Sequence, residues 1–338
     1  RVAVALVADP QRRVYVRRIN VAGNSRTRDE VVRREFRQFE SGWYDGAKIK
    51  LSRDRVDRLG YFKDVAIDSA EVPTAQDQVD LTINVTEKPT GNLLLGAGYS
   101  SADKLAITAS IRQDNVFGSG NYLGLELNTS KSTRTISLST VDPYFTIDGV
   151  SRALEMYYRT SRPVNSQGEQ YELVTPGASI RFGIPFSEYD TVFLGLGAEQ
   201  TEIRGDVNLP ANYFNYRYAF GAYSLSVPIT LGWSRDARDS AIAPSAGRYM
   251  RLNLEWGIAG DTRYARANAQ GQQYIPLGPK FSLGLNAEIG WGLGLQGRPY
   301  PVFKNLYGGG LGTVRGFDQG SLGPPDILHC HDWQTALA

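Results

Sequence analysis

The stretch Phe281–Trp291, FSLGLNAEIGW, decides the fold class of this chain. Apolar residues hold every second position, with small, polar or charged residues between them: Leu283, Leu285, Ala287 and Ile289 against Gly284, Asn286 and Glu288. A period of two residues predicts a β-strand with one apolar face, because successive side chains point to opposite sides. The length is close to the roughly 9–11 residues with which a tilted strand crosses a bilayer.

The same alternation recurs between Gly91 and Leu295, in about eleven segments. Among them are LAITASIR (105–112), YLGLELNTS (122–130), RALEMYYR (152–159), TVFLGLGAE (191–199) and YMRLNLEW (249–256). An apolar face opposite a face with full charges is typical of an antiparallel transmembrane β-barrel, with lipid outside and water inside. A soluble β-sandwich shows the same alternation with inside and outside exchanged, but the number and length of the strands favour the barrel.

The composition also favours many short strands. The 338 residues include 36 Gly and 19 Tyr, and the formal net charge is +2. No run approaches the roughly 18 apolar residues of a transmembrane helix, and the near-zero charge argues against nucleic acid as a partner. One cysteine allows no internal disulfide. The chain starts in RVAVALVADP, which looks like a strand in progress, so we expect a fragment or a processed chain.

Aromatic residues and turn lengths add to the barrel prediction. Aromatics cluster near predicted strand ends, as in interfacial girdles: Tyr99, Tyr144, Phe145, Tyr157, Tyr158 and Trp233. The turns SADK (101–104), SKST (130–133) and SEYD (187–190) are short, whereas the connection from Arg204 to Tyr223 is long and polar. Such an asymmetry is typical of outer-membrane barrels.

A small α+β domain is predicted before the strands. Apolar alternation predicts a first strand over 14–24, and Thr27 with Glu30 predicts a capping box that starts a helix. Val31, Val32, Phe36 and Phe39 share the inner face of that helix, and Arg33, Arg34 and Arg37 are expected to face water. A second helix over 49–59 ends at Gly60, and strands over 63–72 and 78–87 complete the order β-α-α-β-β.

Several long motifs, in order along the chain, resemble the BamA family of outer-membrane protein assembly factors. RRVYVRRINVAGNSRTRDEVVRREF (12–36) is similar to the start of that family's last POTRA domain, and EKPTGNLLLGAGYSSADKL (87–105) to the passage into its first barrel strand. RQDNVFGSGNYL (112–123), STVDPYFTIDG (139–149), GWSRDARDSAIAPSAGRYMRL (232–252) and the VRGF of loop six also match the family pattern. The resemblance covers about residues 1–324.

The resemblance implies a domain plan. Residues 1–11 would end a preceding POTRA domain, residues 12–89 form the last POTRA domain, and residues 90–324 form a partial outer-membrane β-barrel with loop six. The family's barrel has sixteen strands, so this barrel is expected to be incomplete, with about eleven of the sixteen. An open sheet of this kind leaves two edges whose unpaired backbone groups are costly in lipid.

The resemblance also implies a function that needs no cofactor and no catalytic residue. Members of the family fold and insert β-barrel proteins into the outer membrane of Gram-negative bacteria. Their POTRA domains face the periplasm and offer sheet edges to nascent chains. Their partners are unfolded outer-membrane proteins, the outer-membrane lipoproteins of the assembly complex and the lipid bilayer. A sheet edge accepts another strand through main-chain hydrogen bonds, which is the physical basis of this activity.

Two sites are carried over from the resemblance. The first barrel strand pairs weakly with the last one in the family and forms a lateral seam, here Gly91, Asn92, Leu93, Leu94, Leu95, Gly96, Ala97, Gly98 and Tyr99. Its glycines either weaken strand pairing or serve ordinary barrel curvature. The loop-six motif is Val314, Arg315, Gly316 and Phe317. The family's arginine meets acidic residues on the inner barrel wall, and a buried arginine needs such a partner.

The end of the chain departs from the family. PPDILHCHDWQTALA resembles a short signature of bacterial glycogen and starch synthases, so residues 325–338 are expected to be a foreign tail. His329, Cys330, His331 and Asp332 are adjacent in sequence and suit one tetrahedral metal ion poorly, so neither a metal site nor an enzyme is predicted. The alternative function is that of a TamA-type or two-partner-secretion outer-membrane transporter, which shares POTRA domains and VRGF.

Overall fold

The computed structural model describes residues 13–73, 75–100, 104–162, 171–205, 209–240, 243–278, 281–306, 308 and 327–337. The chain divides into two compact units. The first unit contains the residues up to Asn92 together with Arg112–Leu123. The second unit contains Leu93–Ile111 and the residues from Gly124 onward.

The first unit contains a small α+β domain. Its elements are β1 (Tyr15–Ala22), α1 (Asp29–Arg33), α2 (Gly46–Arg58), β2 (Phe62–Val72) and β3 (Ala75–Glu87). The sheet order is β1-β3-β2, with β1 parallel to β3 and β2 antiparallel to it. The predicted β-α-α-β-β order is confirmed.

The core of this domain lies between the two helices and the central strand. Val31 and Val32 of α1, Val56 of α2, and Leu81 and Ile83 of β3 are completely buried. The last two are two residues apart on β3, so the alternation seen in the sequence places both on the core face. Burial of each such side chain contributes about 1.5–3 kcal/mol, which makes this layer the main source of the domain's stability.

Three details of the first helix differ from the prediction. The helix begins after Arg28, whose side chain makes no capping hydrogen bond, so the box of Thr27 and Glu30 is not formed. Phe39 is 69% exposed, because α1 ends at Arg33 and the helical period no longer applies at Phe39. Of the three arginines expected in water only Arg33 is exposed, since the other two are half-buried.

The second helix starts three residues before its predicted beginning at position 49. Asp45 is the N-cap, and its carboxylate accepts hydrogen bonds from the amides of Ala47 and Lys48. An N-cap aspartate satisfies amides that have no partner inside the helix, which fixes the start of α2. Gly60 has a positive φ of 74°, as expected for a glycine that ends a helix.

The second unit is built on one large antiparallel sheet, in which each strand pairs with its neighbours in sequence. The strands are β4 (Gly91–Ser100), β5 (Lys104–Gln113), β6 (Tyr122–Thr129), β7 (Thr133–Asp142), β8 (Ser151–Ser161), β9 (Glu172–Pro185), β10 (Asp190–Arg204), β11 (Tyr223–Asp236), β12 (Gly247–Gly260), β13 (Tyr264–Gly278), β14 (Phe281–Gly294) and β15 (Ile327–Leu337). Eleven of them lie between Gly91 and Gly294, as predicted. Among the described strands, β4 and β15 are the two edges, so the sheet is open.

The two faces of the sheet differ as the barrel prediction requires. Large apolar side chains on one face remain exposed, with values of 44% for Leu194, 48% for Leu196 and 45% for Ile289. In a sandwich this face would be the buried one. The opposite face carries charges such as Glu199 and Glu255. A sheet with an exposed apolar face on one side and a charged face on the other has the arrangement of a barrel wall.

The predicted pattern of turns is wrong in one respect. The short turn Ser130–Ser132 joins β6 to β7 and the long connection joins β10 to β11, so both lie at the same end of the sheet. Alternate hairpins of an up-and-down sheet always return to the same end, whatever the lengths of their turns. The long connection also contains a helix, α3 (Ala211–Phe220). No helix in the described part of the chain is long and apolar enough to cross a membrane.

Candidate functional site

The predicted seam residues form β4, the first strand of the large sheet. The strand pairs with β5 on one side, and its other side has no neighbour among the described strands. Its side chains are exposed, at 68% for Leu93, 73% for Leu95 and 77% for Tyr99. A strand at the edge of a sheet presents a row of backbone N–H and C=O groups on its unpaired side.

The glycines of β4 are not required by close packing. A Cβ at Gly98 would meet no atom within 4 Å, and one at Gly96 would lie 4.0 Å from the carbonyl oxygen of Thr108. At Gly91 the nearest atom, 2.6 Å away, is the end of the flexible Gln113 side chain. Larger residues would therefore fit at these positions, and the absence of side chains leaves β4 with less cross-strand packing.

The loop-six motif, Val314, Arg315, Gly316 and Phe317, lies outside the described residues. The segment that leads to it is described as far as Leu306 and contains one short helical turn, Val302–Lys304. Lys304 lies at the end of this turn and is the positive charge of the cluster described next.

Lys304 bridges two carboxylates on the charged face of the sheet. Its Nζ lies 2.5 Å from Oε1 of Glu199 on β10 and 2.7 Å from Oε1 of Glu255 on β12. The three side chains are only 13%, 15% and 22% exposed, respectively. Two carboxylates held this close together in a sheltered place need a cation, and Lys304 supplies it.

Two tyrosines complete the hydrogen bonding of the cluster. The hydroxyl of Tyr157 on β8 donates to Glu199 over 2.9 Å, and the hydroxyl of Tyr264 on β13 donates to Glu255. The Lys304 ammonium also lies 5.0 Å from the centre of the Tyr264 ring, a cation–π distance. Tyr157, predicted for an interfacial girdle, therefore belongs to the charged face, because it alternates with the apolar neighbours Met156 and Tyr158.

The segment that carries Lys304 packs between α3 and the sheet. The hydroxyl of Tyr213 on α3 donates to the carbonyl of Val302, and the ring of Tyr216 meets that of Phe303 edge to face at 5.8 Å. The hydroxyl of Tyr300 donates to the carbonyl of Lys304 over 3.0 Å. These contacts fix the backbone of the turn, so the ammonium group is held over its two carboxylates.

Glycines on β14 make room for this segment. A Cβ at Gly292 would lie 2.5 Å from the ring of Tyr300, and one at Gly290 would lie 2.6 Å from a methyl of Leu306. Neither distance is possible for real side chains without movement of the segment. The alternation of β14 therefore has two effects. Its outer face is apolar, and the glycines on its inner face leave space for the segment that carries Lys304.

The charged face continues beside the cluster as a polar cavity of about 400 Å³. Three arginines line it, Arg181, Arg251 and Arg266, together with Asn253 and Asn268. A sheet with a polar inner face and an apolar outer face is typical of a barrel with water in its lumen. The sequence alternation predicted such a face, but it did not single out Lys304, Glu199 or Glu255.

Comparison with known proteins decides the family. A family model described as the Omp85 superfamily domain matches residues 115–336. The chain belongs to the Omp85 superfamily. A second model, POTRA, described as the surface antigen variable number repeat, matches residues 14–88 of the N-terminal domain. The fold is therefore that of a POTRA domain followed by the strands of an Omp85 barrel, with an open sheet over the described residues.

Individual Omp85 relatives agree with this assignment. The outer membrane protein assembly factor BamA of Neisseria meningitidis serogroup B is 39% identical over 328 residues, which cover 94% of this chain and 41% of that protein. The crystal structure of BamA from Haemophilus ducreyi lacking POTRA domains 1–3 aligns with a TM-score of 0.75 and 30% identity, over 94% of this chain and 62% of that one. The chain thus spans about two fifths of the length of its curated relative.

A second solved structure shares the fold at lower sequence identity. CdiB from Acinetobacter baumannii aligns with a TM-score of 0.63 over 96% of this chain and 61% of that one, at 15% identity. A likeness at this identity shows the common Omp85 fold alone.

Residues 327–337 belong to the large sheet as β15. Residues 329–332, weighed above as metal ligands, lie in β15, which pairs antiparallel with β14. The Omp85 match runs to residue 336 and overlaps most of the segment expected to be foreign. The foreign origin of residues 325–338 stays a prediction.

Proposed function

We propose that the protein works as an outer-membrane protein assembly factor, which folds and inserts β-barrel proteins into the Gram-negative outer membrane. The observation that carries this proposal is β4 itself, the first strand of a sheet with an apolar outer face, whose glycines leave it with little cross-strand packing. Its similarity to BamA proteins supports the same reading. No covalent bond is made or broken in such a reaction, so no catalytic residue is required.

In the proposed mechanism β4 is the lateral seam. An incoming strand of an unfolded outer-membrane protein takes the place of the last barrel strand and pairs with the N–H and C=O groups of β4. The new hairpins then follow it into the bilayer. Each backbone group that enters lipid unpaired costs several kcal/mol, so a preformed edge offers a strong advantage to the incoming strand. The exposed Leu93, Leu95 and Tyr99 would face lipid or the neighbouring chain.

The POTRA domain offers a second edge for strand addition. The outer edge of β1 is already bonded, because the amide of Val16 donates to the carbonyl of Gly42 and the amide of Ser41 donates to the carbonyl of Val16. On β2 the side away from β3 has no neighbour among the described strands. We therefore assign strand augmentation to β2, with this domain in the periplasm and with the lipoproteins of an assembly complex as further partners.

Cysteine cross-linking tests the seam. In the full-length protein with Cys330→Ser, we expect Leu94→Cys and Leu95→Cys to form disulfides with cysteines in the last strand of a barrel substrate during assembly. The Cα atoms of directly paired antiparallel residues lie about 4.5–5.5 Å apart, which is within the range that a disulfide spans. The cross-links should follow one register along β4.

The matched control is Leu194→Cys, an exposed apolar residue in β10, which has neighbours on both sides. Equal cross-linking at that control, or none at β4 while the substrate is assembled, would contradict the proposal. If depletion of the protein leaves barrel proteins intact and instead blocks export of a soluble polypeptide, the transporter alternative is correct.

A further inference from the structure

The turn between β5 and β6, DNVFGSGN (114–121), has a role that the seam and the lumen do not explain. It follows strands of the large sheet, yet it belongs to the same compact unit as the POTRA domain. The carbonyl of Gly118 accepts a hydrogen bond from the amide of Arg28 over 3.0 Å. The carbonyl of Gly120 accepts one from the hydroxyl of Tyr61 over 3.2 Å.

Asn115 lies at the centre of this docked turn. Its side-chain Nδ2 donates to the hydroxyl oxygen of Thr27 over 2.9 Å, and its Oδ1 accepts from the amide of Gly120 over 2.7 Å. Asn115 is 6% exposed and Thr27 is 3% exposed, so water does not replace these bonds easily. A buried amide that loses its partner is destabilising, which gives this single side chain a large effect on the docking.

The glycines of the turn allow an approach that no other residue permits. Gly118 has a φ of +72°, and a Cβ there would lie 1.9 Å from the carbonyl oxygen of Arg26. Gly120 has a φ of +75°, and its Cβ would lie 3.1 Å from a methyl group of Val31. The GSG motif therefore matches the surface of the POTRA domain at the start of α1.

The same unit also holds both ends of the β4–β5 hairpin. The chain leaves the unit after Asn92 and returns at Arg112. Residues on the two sides of the hairpin are hydrogen-bonded to each other. The amide of Asp114 donates to the carbonyl of Thr90 over 3.1 Å, and Nε2 of Gln113 donates to the Thr90 hydroxyl over 2.8 Å. The hairpin that contains the seam strand thus begins and ends in residues that are bonded to each other.

We propose that the 114–121 turn is a clasp through which the POTRA domain positions the seam hairpin, with Asn115 as its positioning residue. This inference rests on the proposed function of β4 as the seam. The clasp limits the movement of the end of the β4–β5 hairpin that joins the POTRA domain. Loss of the clasp makes β4, the strand that pairs with the substrate, more mobile. Thr27 is the partner of Asn115 on the POTRA side, and Gly118 and Gly120 supply the close fit.

Amide hydrogen exchange of the full-length, membrane-inserted protein tests the clasp directly. Asn115→Ala should raise exchange at residues 93–99 and 105–111 by roughly tenfold or more, while β8–β13 stay unchanged. Thr27→Val should act in the same way, and the double variant should add little, because both changes remove the Asn115–Thr27 bond. The control Asn121→Ala, at a residue of the same turn whose backbone carbonyl bonds to the amide of Val116, should leave exchange as in the parent.

A second pair of variants separates the fit of the turn from general backbone strain. Gly118→Ala places a Cβ against the Arg26 carbonyl, whereas Gly60→Ala meets a similar φ of +74° with no atom within 4 Å. Only Gly118→Ala should loosen the hairpin. Unchanged exchange at 93–99 in Asn115→Ala and Gly118→Ala would overturn the clasp.

The assembly rate of a barrel substrate, measured with the same variants, decides the functional part. We expect Asn115→Ala and Thr27→Val to slow assembly several-fold, in proportion to the rise in exchange. Faster exchange with an unchanged assembly rate would overturn the positioning role. If the parent protein itself assembles no substrate, the proposed function fails, and the exchange data still decide whether the clasp exists.

Discussion

At the scale of single residues, Lys304 shows how one charge can organise several strands. It lies between Glu199 of β10 and Glu255 of β12, and tyrosines from β8 and β13 hydrogen-bond to the same carboxylates. The carboxylates and tyrosines lie on strands and look in sequence like any inward position of a barrel wall, and Lys304 lies in a short turn outside the strands. The site was missed because its members are far apart in the chain, and only the strand register brings them together.

Removal of the Lys304 charge should weaken the barrel. Lys304→Met leaves two sheltered carboxylates uncompensated, and the loss of one partner from a buried ion pair costs about 3–5 kcal/mol. We expect the barrel of the full-length protein to lose its heat-resistant form on gels at a lower temperature. Lys131→Met, a lysine in the exposed turn after β6, is the matched control and should behave as the parent.

Neutralising the carboxylates tests the same cluster from the other side. Glu199→Gln combined with Glu255→Gln should restore much of the stability of Lys304→Met, since no uncompensated charge then remains. If Lys304→Met by itself is as stable as the parent, the cluster does not hold the segment before loop six.

At the scale of elements, the start of α1 depends on a strand that lies sixty residues further along the chain. The carboxylate of Glu87, at the end of β3, accepts hydrogen bonds from the amides of Arg26 and Thr27 and from the hydroxyl of Ser25. The local pattern of Thr27 and Glu30 predicted a capping box instead. The long-range bond takes its place because Glu87 already satisfies the amides, and the Thr27 hydroxyl faces Asn115.

The POTRA domain should become less stable at low pH, because Glu87 is then protonated. Burial opposes its ionisation, but the hydrogen bonds from Thr27, Ser25 and Arg26 outweigh burial and hold the pKa of Glu87 below its ordinary value of 4.5. A carboxyl group whose pKa is depressed in the folded state stabilises fully above its unfolded pKa. That contribution is lost as the pH falls from about 4.5 through the lower folded value.

The measurement is the urea midpoint of the POTRA domain as a function of pH, followed by the near-UV signal of the stacked Tyr15 and Trp43 rings. Glu87→Gln should lower the midpoint at pH 7 and make the acid side of the profile flatter. The exposed Glu71→Gln on β2 is the control. An unchanged acid profile in Glu87→Gln would show that another carboxylate is responsible.

At the scale of the whole molecule, the sheet separates two solvents. Exposed leucines and isoleucines cover one face, and arginines, glutamates and asparagines line the other. The hydrophobic effect in water would bury the apolar face, so its exposure implies that lipid covers it. The same reasoning excludes the sandwich that the alternation by itself had left open.

Two adjacent residues of β12 test which side meets lipid. Leu252 lies on the exposed apolar face, and Asn253 lines the polar cavity. Leu252→Arg should reduce the stability of the inserted barrel by about 2–4 kcal/mol, because a charged residue on the lipid face is costly near the middle of the bilayer. Asn253→Arg should change stability much less.

The free energy of unfolding in lipid vesicles, obtained from denaturant titration, is the measurement for this pair. Equal losses for both variants would mean that the two faces meet the same medium. A larger loss for Asn253→Arg would reverse the assignment of inside and outside.

The sequence alone determined the β-α-α-β-β order of the first domain, the eleven strands between Gly91 and Gly294 and the two faces of the sheet, but it did not predict α3 or β15. These properties depend on local periodicity, since a period of two residues fixes both the strand and the sides to which its residues point. The tertiary structure alone decided which polar residues meet. The Lys304 cluster, the hydrogen bonds to Glu87 and the Asn115 clasp join positions many residues apart. Their geometry follows from strand register and from the close approach of backbone segments, which no local pattern encodes.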